Sequence, residues 1–202
     1  MLIVEGPDGS GKTTLCRTLS DELSLEVAPI YAPSRRQMHN TGVRRRVWNG
    51  LSAMLRGQMY IHDRLYFSEV IYGTWLRGSV DFTYEEISWI EYCLDEMCVP
   101  IIVCLPSWEK VQEHLFDKPH LRGALDKQGE IYAAYRKLAI ESTNLLVRPY
   151  DYTSEHDDIQ GVIDWVIPLL TDLRRRFGDP DGGRTGSDSA GTEWWGGTED
   201  RS

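Results

Sequence analysis

Gly6-Pro7-Asp8-Gly9-Ser10-Gly11-Lys12-Thr13 follows the short apolar run Leu2-Ile3-Val4, and Thr13 to Leu23 then places Leu15, Leu19 and Leu23 four apart. A strand, a glycine-rich turn and an amphipathic helix in that order form the setting in which G-x-x-x-x-G-K-[ST] reads as a phosphate-binding loop, and the octapeptide meets the pattern at every fixed position. Each residue type has a physical task there. Gly6, Gly9 and Gly11 let the backbone turn and approach a phosphate with no side chain between. The amides of Ser10 to Thr14 and the start of the helix offer positive potential to an anion. Lys12 reaches the outer phosphates, and the Thr13 hydroxyl is placed to ligate Mg²⁺.

Further along, Met59-Tyr60-Ile61-His62 reads as a strand that ends in Asp63-Arg64. A phosphate-loop enzyme needs a carboxylate on the metal side, and a strand-end aspartate supplies one, so Asp63 joins Thr13 as a metal-site candidate. Arg64 offers a planar fork suited to a phosphate. The loop itself contains no arginine, so further cations must come from elsewhere. The polar stretch Asp117 to Gln128, with Lys118, His120, Arg122 and Lys127, is expected to be a closing lid, with Arg122 first and Lys118 second as the residue meeting the transferred group.

The remaining chain alternates strand and helix. Leu25 to Tyr31, Val99 to Leu105 and Asn144 to Val147 read as strands. Helices are expected over Asn40 to Arg56, Tyr66 to Leu76, Tyr84 to Met97, Ser107 to Phe116, Gly129 to Glu141 and Asp157 to Arg176, the last bent at Pro168. Thr83 followed by Glu86 has the spacing of a capping box. The continuous apolar run at Val99 lacks two-residue alternation, as in a strand covered on both faces. The expected fold is α/β: a doubly wound parallel sheet of about five strands with helices on both faces and the ligand at the strands' carboxyl ends. The domain spans 1–177 with the lid at about 117–128, and 178–202 is an acidic Gly/Ser/Asp-rich tail expected to be disordered, with Trp194-Trp195 in it.

The 202 residues carry a formal net charge of −9, which argues against a chain whose task is to coat nucleic acid. Cys16, Cys93, Cys98 and Cys104 have no C-x-x-C pairing or metal spacing and read as reduced thiols. The N-terminal run is too short for a signal peptide, and nothing approaches the roughly 20 apolar residues of a membrane span, so a cytoplasmic location and no membrane partner are expected. Arg35-Arg36 and Arg44-Arg45-Arg46 form a local basic cluster that suits an acceptor phosphate, with Arg36 the candidate, or a DNA backbone. Three consecutive helical residues point in different directions, so Arg44 to Arg46 do not all serve one site.

Glu5-Gly6-Pro7-Asp8-Gly9-Ser10-Gly11-Lys12-Thr13-Thr14 resembles the start of thymidylate kinases and related P-loop nucleoside monophosphate kinases, E-G-x-D-G-[SA]-G-K-[ST]-T. Asp63 to Gly73 is similar to that family's D-R-Y-x-x-S-x-x-A-Y-Q-G segment, without the glutamine. The family's R-E-P-G segment is replaced by Ala32-Pro33-Ser34-Arg35-Arg36, and the span between the two motifs is short, as in a divergent, compact member of bacteriophage type. The resemblance implies a P-loop kinase fold in which Asp8 holds the acceptor's sugar hydroxyl, Arg64 its phosphate and Tyr72 the pocket wall. It gives Asp63 to the metal side, and with Lys12 of the loop and Arg122 of the expected lid the catalytic set reads Lys12, Asp63, Arg64 and Arg122.

The reaction so implied is transfer of the ATP γ-phosphoryl, with Mg²⁺, to a deoxynucleoside monophosphate: thymidylate or a related pyrimidine nucleotide. The diphosphate product would serve nucleotide biosynthesis. Three other readings stay open. One is a P-loop kinase acting on a hydroxyl of DNA or of a modified base in DNA. Another is a deoxynucleoside kinase, although those carry Glu-Arg-Ser where this chain has Asp63-Arg64-Leu65. The last is a non-catalytic nucleotide switch, which lacks support because there is no N-K-x-D and no acidic pair after Ile101 to Leu105. A homodimer is compatible with each of these.

Overall fold

The computed structural model describes residues 1–28, 41–115, 125–142 and 144–178. Five strands form one sheet: β1 (Leu2–Glu5), β2 (Glu26–Val27), β3 (Tyr60–Asp63), β4 (Ile101–Cys104) and β5 (Val147–Tyr150). Their order is β2-β3-β1-β4-β5 and every pairing is parallel. Helices α1 (Lys12–Leu23), α2 (Thr41–Leu55), α3 (Tyr66–Tyr72), α4 (Tyr84–Glu96), α5 (Trp108–Leu115), α6 (Gln128–Glu141) and α7 (Ile159–Phe177) connect and close it.

Right-handed crossovers dictate the layering. The step from β1 over to β2 and the return after β5 put α1 and α7 on one face, while every connection from β2 to β5 moves the other way and puts α2 to α6 on the opposite face. The packing agrees: α1 lies against α7, α2 against α3, and α3 against α6. Leu2, Ile3 and Val4 of β1 and all of β4 are buried, so the apolar run at Val99 to Leu105 does mark a strand covered on both faces. The core extends from there to Leu15 and Leu19 of α1, Ile90 and Leu94 of α4, Ile131 and Tyr135 of α6, and Val162, Val166 and Leu170 of α7.

Local signals hold at several helix ends. Thr83 accepts from the Glu86 amide while the Glu86 carboxylate takes the Thr83 amide, a complete capping box. Asp158 caps α7 by accepting from Gly161 N–H, and the helix runs on through Pro168 to Phe177. Three boundaries move. The helix expected over Tyr66 to Leu76 stops at Tyr72 and continues as one π turn, Gly73–Arg77. Gln128, placed in the lid by its polar neighbours, is the first residue of α6 after a 3₁₀ turn at Leu125–Lys127. The last strand lies at Val147–Tyr150, displaced towards the C-terminus from Asn144 to Val147.

Pro149 hides β5 in the sequence, and the sheet explains why it is tolerated. The amides of Ile101 in β4 and of Leu105 just after it donate to the carbonyls of Leu146 and Tyr150, so the backbone groups of the even-numbered residues face β4 and Pro149 faces outward. A residue without an N–H loses nothing on that outer edge.

All four cysteines are free, with Cys16 and Cys104 buried. Among the described residues no helix is long and apolar enough to cross a membrane. The tail beyond residue 178, including Trp194-Trp195, lies outside the described residues.

Candidate active site

The loop between β1 and α1 is shaped by backbone sterics. Gly6, Gly9 and Gly11 have φ of 140°, 79° and 83°. At Gly6 a Cβ would lie 2.5 Å from the Cys104 carbonyl oxygen and 2.8 Å from Ser10 Oγ, so the loop can lie on the end of β4 only with glycine there. His114 of α5 braces the loop from the side: its Nδ1 is 2.9 Å from the Gly9 carbonyl, which can only accept, so Nδ1 carries the proton. Tyr152, just after β5, lies against Gly11, with Cε1 3.0 Å from where a Cβ would stand.

Lys12 is buried and its Nζ donates to the Pro7 carbonyl at 2.6 Å. Burial, reinforced by the charge of Arg64, lowers its pKa to about 8, with Asp8 and Asp63 opposing the shift. Ser10 Oγ is buried and has no hydrogen-bond partner among the described residues. Thr13 and Thr14 are exposed at the start of α1. A cradle that a Cβ would fill, a buried hydroxyl unpaired among the described residues and a buried ammonium are the features a polyphosphate would satisfy.

β3 lies beside β1, with Val4 in register with Asp63, and this pairing carries the end of β3 to the loop. Thr13 Oγ1 donates to Asp63 Oδ2 at 2.9 Å. The next residue, Arg64, has φ 70°, in the left-handed region that side chains disfavour. This turn sends neighbouring side chains to different partners: Asp63 to Thr13, Arg64 to Asp8. The residues offered for Mg²⁺ therefore meet, and among the described residues no cluster of three or more His, Cys, Asp or Glu forms a dedicated metal cage. Thr13 and Asp63 fit an ion that takes its other ligands from phosphate and water.

Arg64 is the most heavily bonded side chain of the site. Its Nη1 donates to Ser68 Oγ and to the Tyr135 hydroxyl, each at 3.0 Å. Its Nη2 forms an ion pair with Asp8 Oδ1 and donates to the Tyr72 hydroxyl at 3.2 Å. Tyr72 also accepts the Asp8 amide at 3.0 Å, and its ring lies 4.9 Å from the guanidinium. Burial penalises the Arg64 charge, but the surrounding Tyr135, Tyr72, Asp8 and Glu5 outweigh it and hold the pKa above the ordinary value. Asp8, Arg64 and Tyr72 thus come together, with Asp8 and Arg64 paired to each other.

Three site residues carry no signal strong enough to find in the sequence. Glu5 is fully buried and accepts Leu65 N–H at 2.7 Å, the Ser68 hydroxyl at 2.5 Å and the Tyr135 hydroxyl at 3.2 Å. Glu5 and Ser68 stand inside the two motifs without an obvious task, and Tyr135 lies far along the chain on α6. One hint is present: Gln128, Ile131 and Tyr135 fall on one buried stripe of α6 whose members are not all apolar. Both amide atoms of Gln128 are buried without a partner among the described residues.

The basic cluster does not act as a unit. Arg44 pairs with Glu86 of α4 at 2.8 Å and Arg45 is exposed. Arg46 turns inward, where burial lowers its pKa and Glu5, Asp63 and Arg64 are its charged neighbours. Arg35, Arg36, Lys118, His120 and Arg122 lie outside the described residues. A groove of about 300 Å³ between α3, α4 and α6, lined by Tyr66, Phe67, Ile87 and Leu138 among others, includes none of the phosphate-loop residues.

No family model matches the sequence, and no curated protein matches it. Solved structures do match. The YorR protein from Bacillus subtilis, in complex with phosphorylated GDP, superposes with a TM-score of 0.63 at 18% identity, covering 85% of this chain and 97% of that one. Deoxyadenosine kinase from M. mycoides with bound dCTP gives a TM-score of 0.49 at 15% identity over 85% of this chain and 100% of that one. The same enzyme with bound dATP gives 0.47 at 14% identity over 84% and 98%. The first likeness establishes the fold shared with a nucleotide-bound protein; the other two are too distant to carry weight for this chain.

Proposed function

We propose that this chain is a nucleotide kinase that transfers the γ-phosphoryl of ATP to a deoxynucleoside monophosphate, thymidylate or a related pyrimidine nucleotide. The observation that carries the reading is the divided end of β3: Asp63 is bonded to Thr13 at the phosphate loop, while Arg64 faces Asp8 and Tyr72. One side is chemically suited to a metal-bound polyphosphate and the other to an anion next to a hydroxyl.

Lys12, the loop amides and Ser10 would hold the donor's phosphates, and Thr13 and Asp63 would hold Mg²⁺, which when bound would neutralise charge on the transferred phosphoryl group. Arg64 would orient the acceptor phosphate and Tyr72 would line the acceptor pocket. Asp8, released from Arg64, would take the sugar hydroxyl. These side chains hold both reactants in line and supply no strong base, as a loose phosphoryl transfer requires. Arg122 is proposed as the lid cation and Arg36 as a second acceptor contact.

The DNA-linked acceptor has less support, because Arg44 is engaged with Glu86 and Arg46 points inward. ADP release with ATP and Mg²⁺ against nucleosides, ribo- and deoxy-monophosphates, 5-hydroxymethyl-dUMP and DNA bearing modified pyrimidines separates the readings. Turnover on one deoxynucleoside monophosphate, abolished in Lys12→Ala, is the expected result. Silence on every free nucleotide, with label transferred to DNA, would overturn it.

A further inference from the structure

Tyr135 is completely buried, yet its ring belongs to a stripe where phenylalanine would pack as well. A buried hydroxyl is unfavourable unless it is bonded, so what this one touches shows what it is for. It lies 3.0 Å from Arg64 Nη1, 3.2 Å from Glu5 Oε2 and 2.9 Å from Ser68 Oγ. The proton count is consistent. Ser68 and Tyr135 each donate to the Glu5 carboxylate and each accept one Nη1 proton from Arg64.

All Nη protons of Arg64 are therefore directed at protein oxygens, but the two edges of the guanidinium differ. The inner edge meets Ser68 and Tyr135, which are backed by fully buried Glu5. The outer edge meets Asp8 and Tyr72, and the Asp8 side chain is 32% exposed. An incoming anion can displace the partly exposed Asp8 carboxylate more readily than two hydroxyls that are also tied to the fully buried Glu5 carboxylate. The left-handed backbone at Arg64 adds a second reason for an anchor, since a strained residue keeps its conformation only when its surroundings over-determine it.

We infer that Tyr135 is the positioning residue of the acceptor side: its hydroxyl, shared between Glu5 and Arg64 Nη1, fixes one edge of the guanidinium so that the other can exchange the Asp8 carboxylate for an acceptor phosphate. This assignment rests on the phosphoryl-transfer reading above for its kinetic consequence, but not for its structural one. Tyr135 touches no reacting atom and acts through Arg64.

Two measurements on the full chain test it. Arginine side-chain NMR without substrate reads the Arg64 Nη protons, which rotate and exchange slowly in the wild type and average in Tyr135→Phe. In ADP-release kinetics, Tyr135→Phe raises the acceptor KM about tenfold, the worth of one hydrogen bond to a charged group, and leaves the KM for ATP within about twofold. Ser68→Ala, on the same edge, shows the same split. Ile131→Val, one turn away on the buried face of α6, controls for simple destabilisation and moves neither constant. Unchanged Nη signals in Tyr135→Phe overturn the assignment, as does a rise in both KM values together or an acceptor KM unchanged in a folded variant. Altered Nη signals in Tyr135→Phe, with a wild-type protein that phosphorylates no nucleotide, would leave Tyr135 in place and sink the reaction instead.

Discussion

Replacing Lys12 by methionine should make the protein more stable while removing its proposed activity. The ammonium is buried against the Arg64 charge, and its pKa is lowered from 10.5 to about 8. A tenfold change in proton affinity is worth about 1.4 kcal/mol, so a protonated Lys12 costs the native state about 3 kcal/mol. Between pH 8 and 10.5 the unfolded chain binds more protons at this site than the folded one, so stability climbs as pH rises through that window. Below pH 8 the full penalty is present. Methionine has nearly the same shape and no charge, but it leaves the Pro7 carbonyl without its 2.6 Å donor, a loss of about 1 kcal/mol. The net expectation at pH 7 is a gain of about 2 kcal/mol, or roughly 4–8 °C in Tm for a chain of this size. Urea and thermal denaturation of wild type and Lys12→Met at pH 7 and pH 10 measure it, and the gain must shrink at the higher pH. ATP with Mg²⁺ should raise the Tm of the wild type much more than that of the variant. A variant less stable than the wild type at pH 7, or a difference independent of pH, would refute the reasoning that this ammonium is held at a cost for phosphate to relieve.

Two other outcomes follow from the same structure. Gly6→Ala forces a Cβ to 2.5 Å from the Cys104 carbonyl at φ 140°, and thermal melts should show a loss of at least about 2 kcal/mol together with lost nucleotide binding; an unshifted Tm would contradict the packing of the loop on β4. His62, buried in β3 and close to the Met1 α-amino group and Arg46, has its pKa lowered to about 4 from 6.5, burial being the main cause. The unfolded state then binds more protons between those values, so about 3 kcal/mol of stability is lost as pH falls from 6.5 to 4, and His62→Leu should flatten that part of the acid-denaturation curve relative to wild type.

What can be read in the chain is what neighbours in sequence decide. The glycine-rich turn after β1, the cap at Thr83 and the apolar run of β4 are local patterns, and each stands where the sequence puts it. Alternation of strand and helix is enough for the layers, because crossover handedness leaves little choice once the strands are parallel. β5 slips because Arg148 and Pro149 do not look like strand until the sheet shows that one face of the backbone is unpaired. At the site, Asp63 and Arg64 are legible as a strand end, but their division between two partners depends on the positive φ of Arg64, which nothing in the sequence announces. The partners of Tyr135 are hidden for a different reason. Tyr135 reaches Glu5 across 130 positions, and no periodicity encodes a contact that distant.

The outer edge of β5 has a bearing on how the chain behaves among copies of itself. An open parallel sheet normally ends in a row of unpaired donors and acceptors on which another strand can settle. Here the outward positions are Val147 and Pro149, and the proline withholds its donor. A second molecule approaching this edge finds a ladder with a missing rung, with the charged Arg148 between the two outward positions. The β5 margin of the sheet thus discourages strand-by-strand growth on that side.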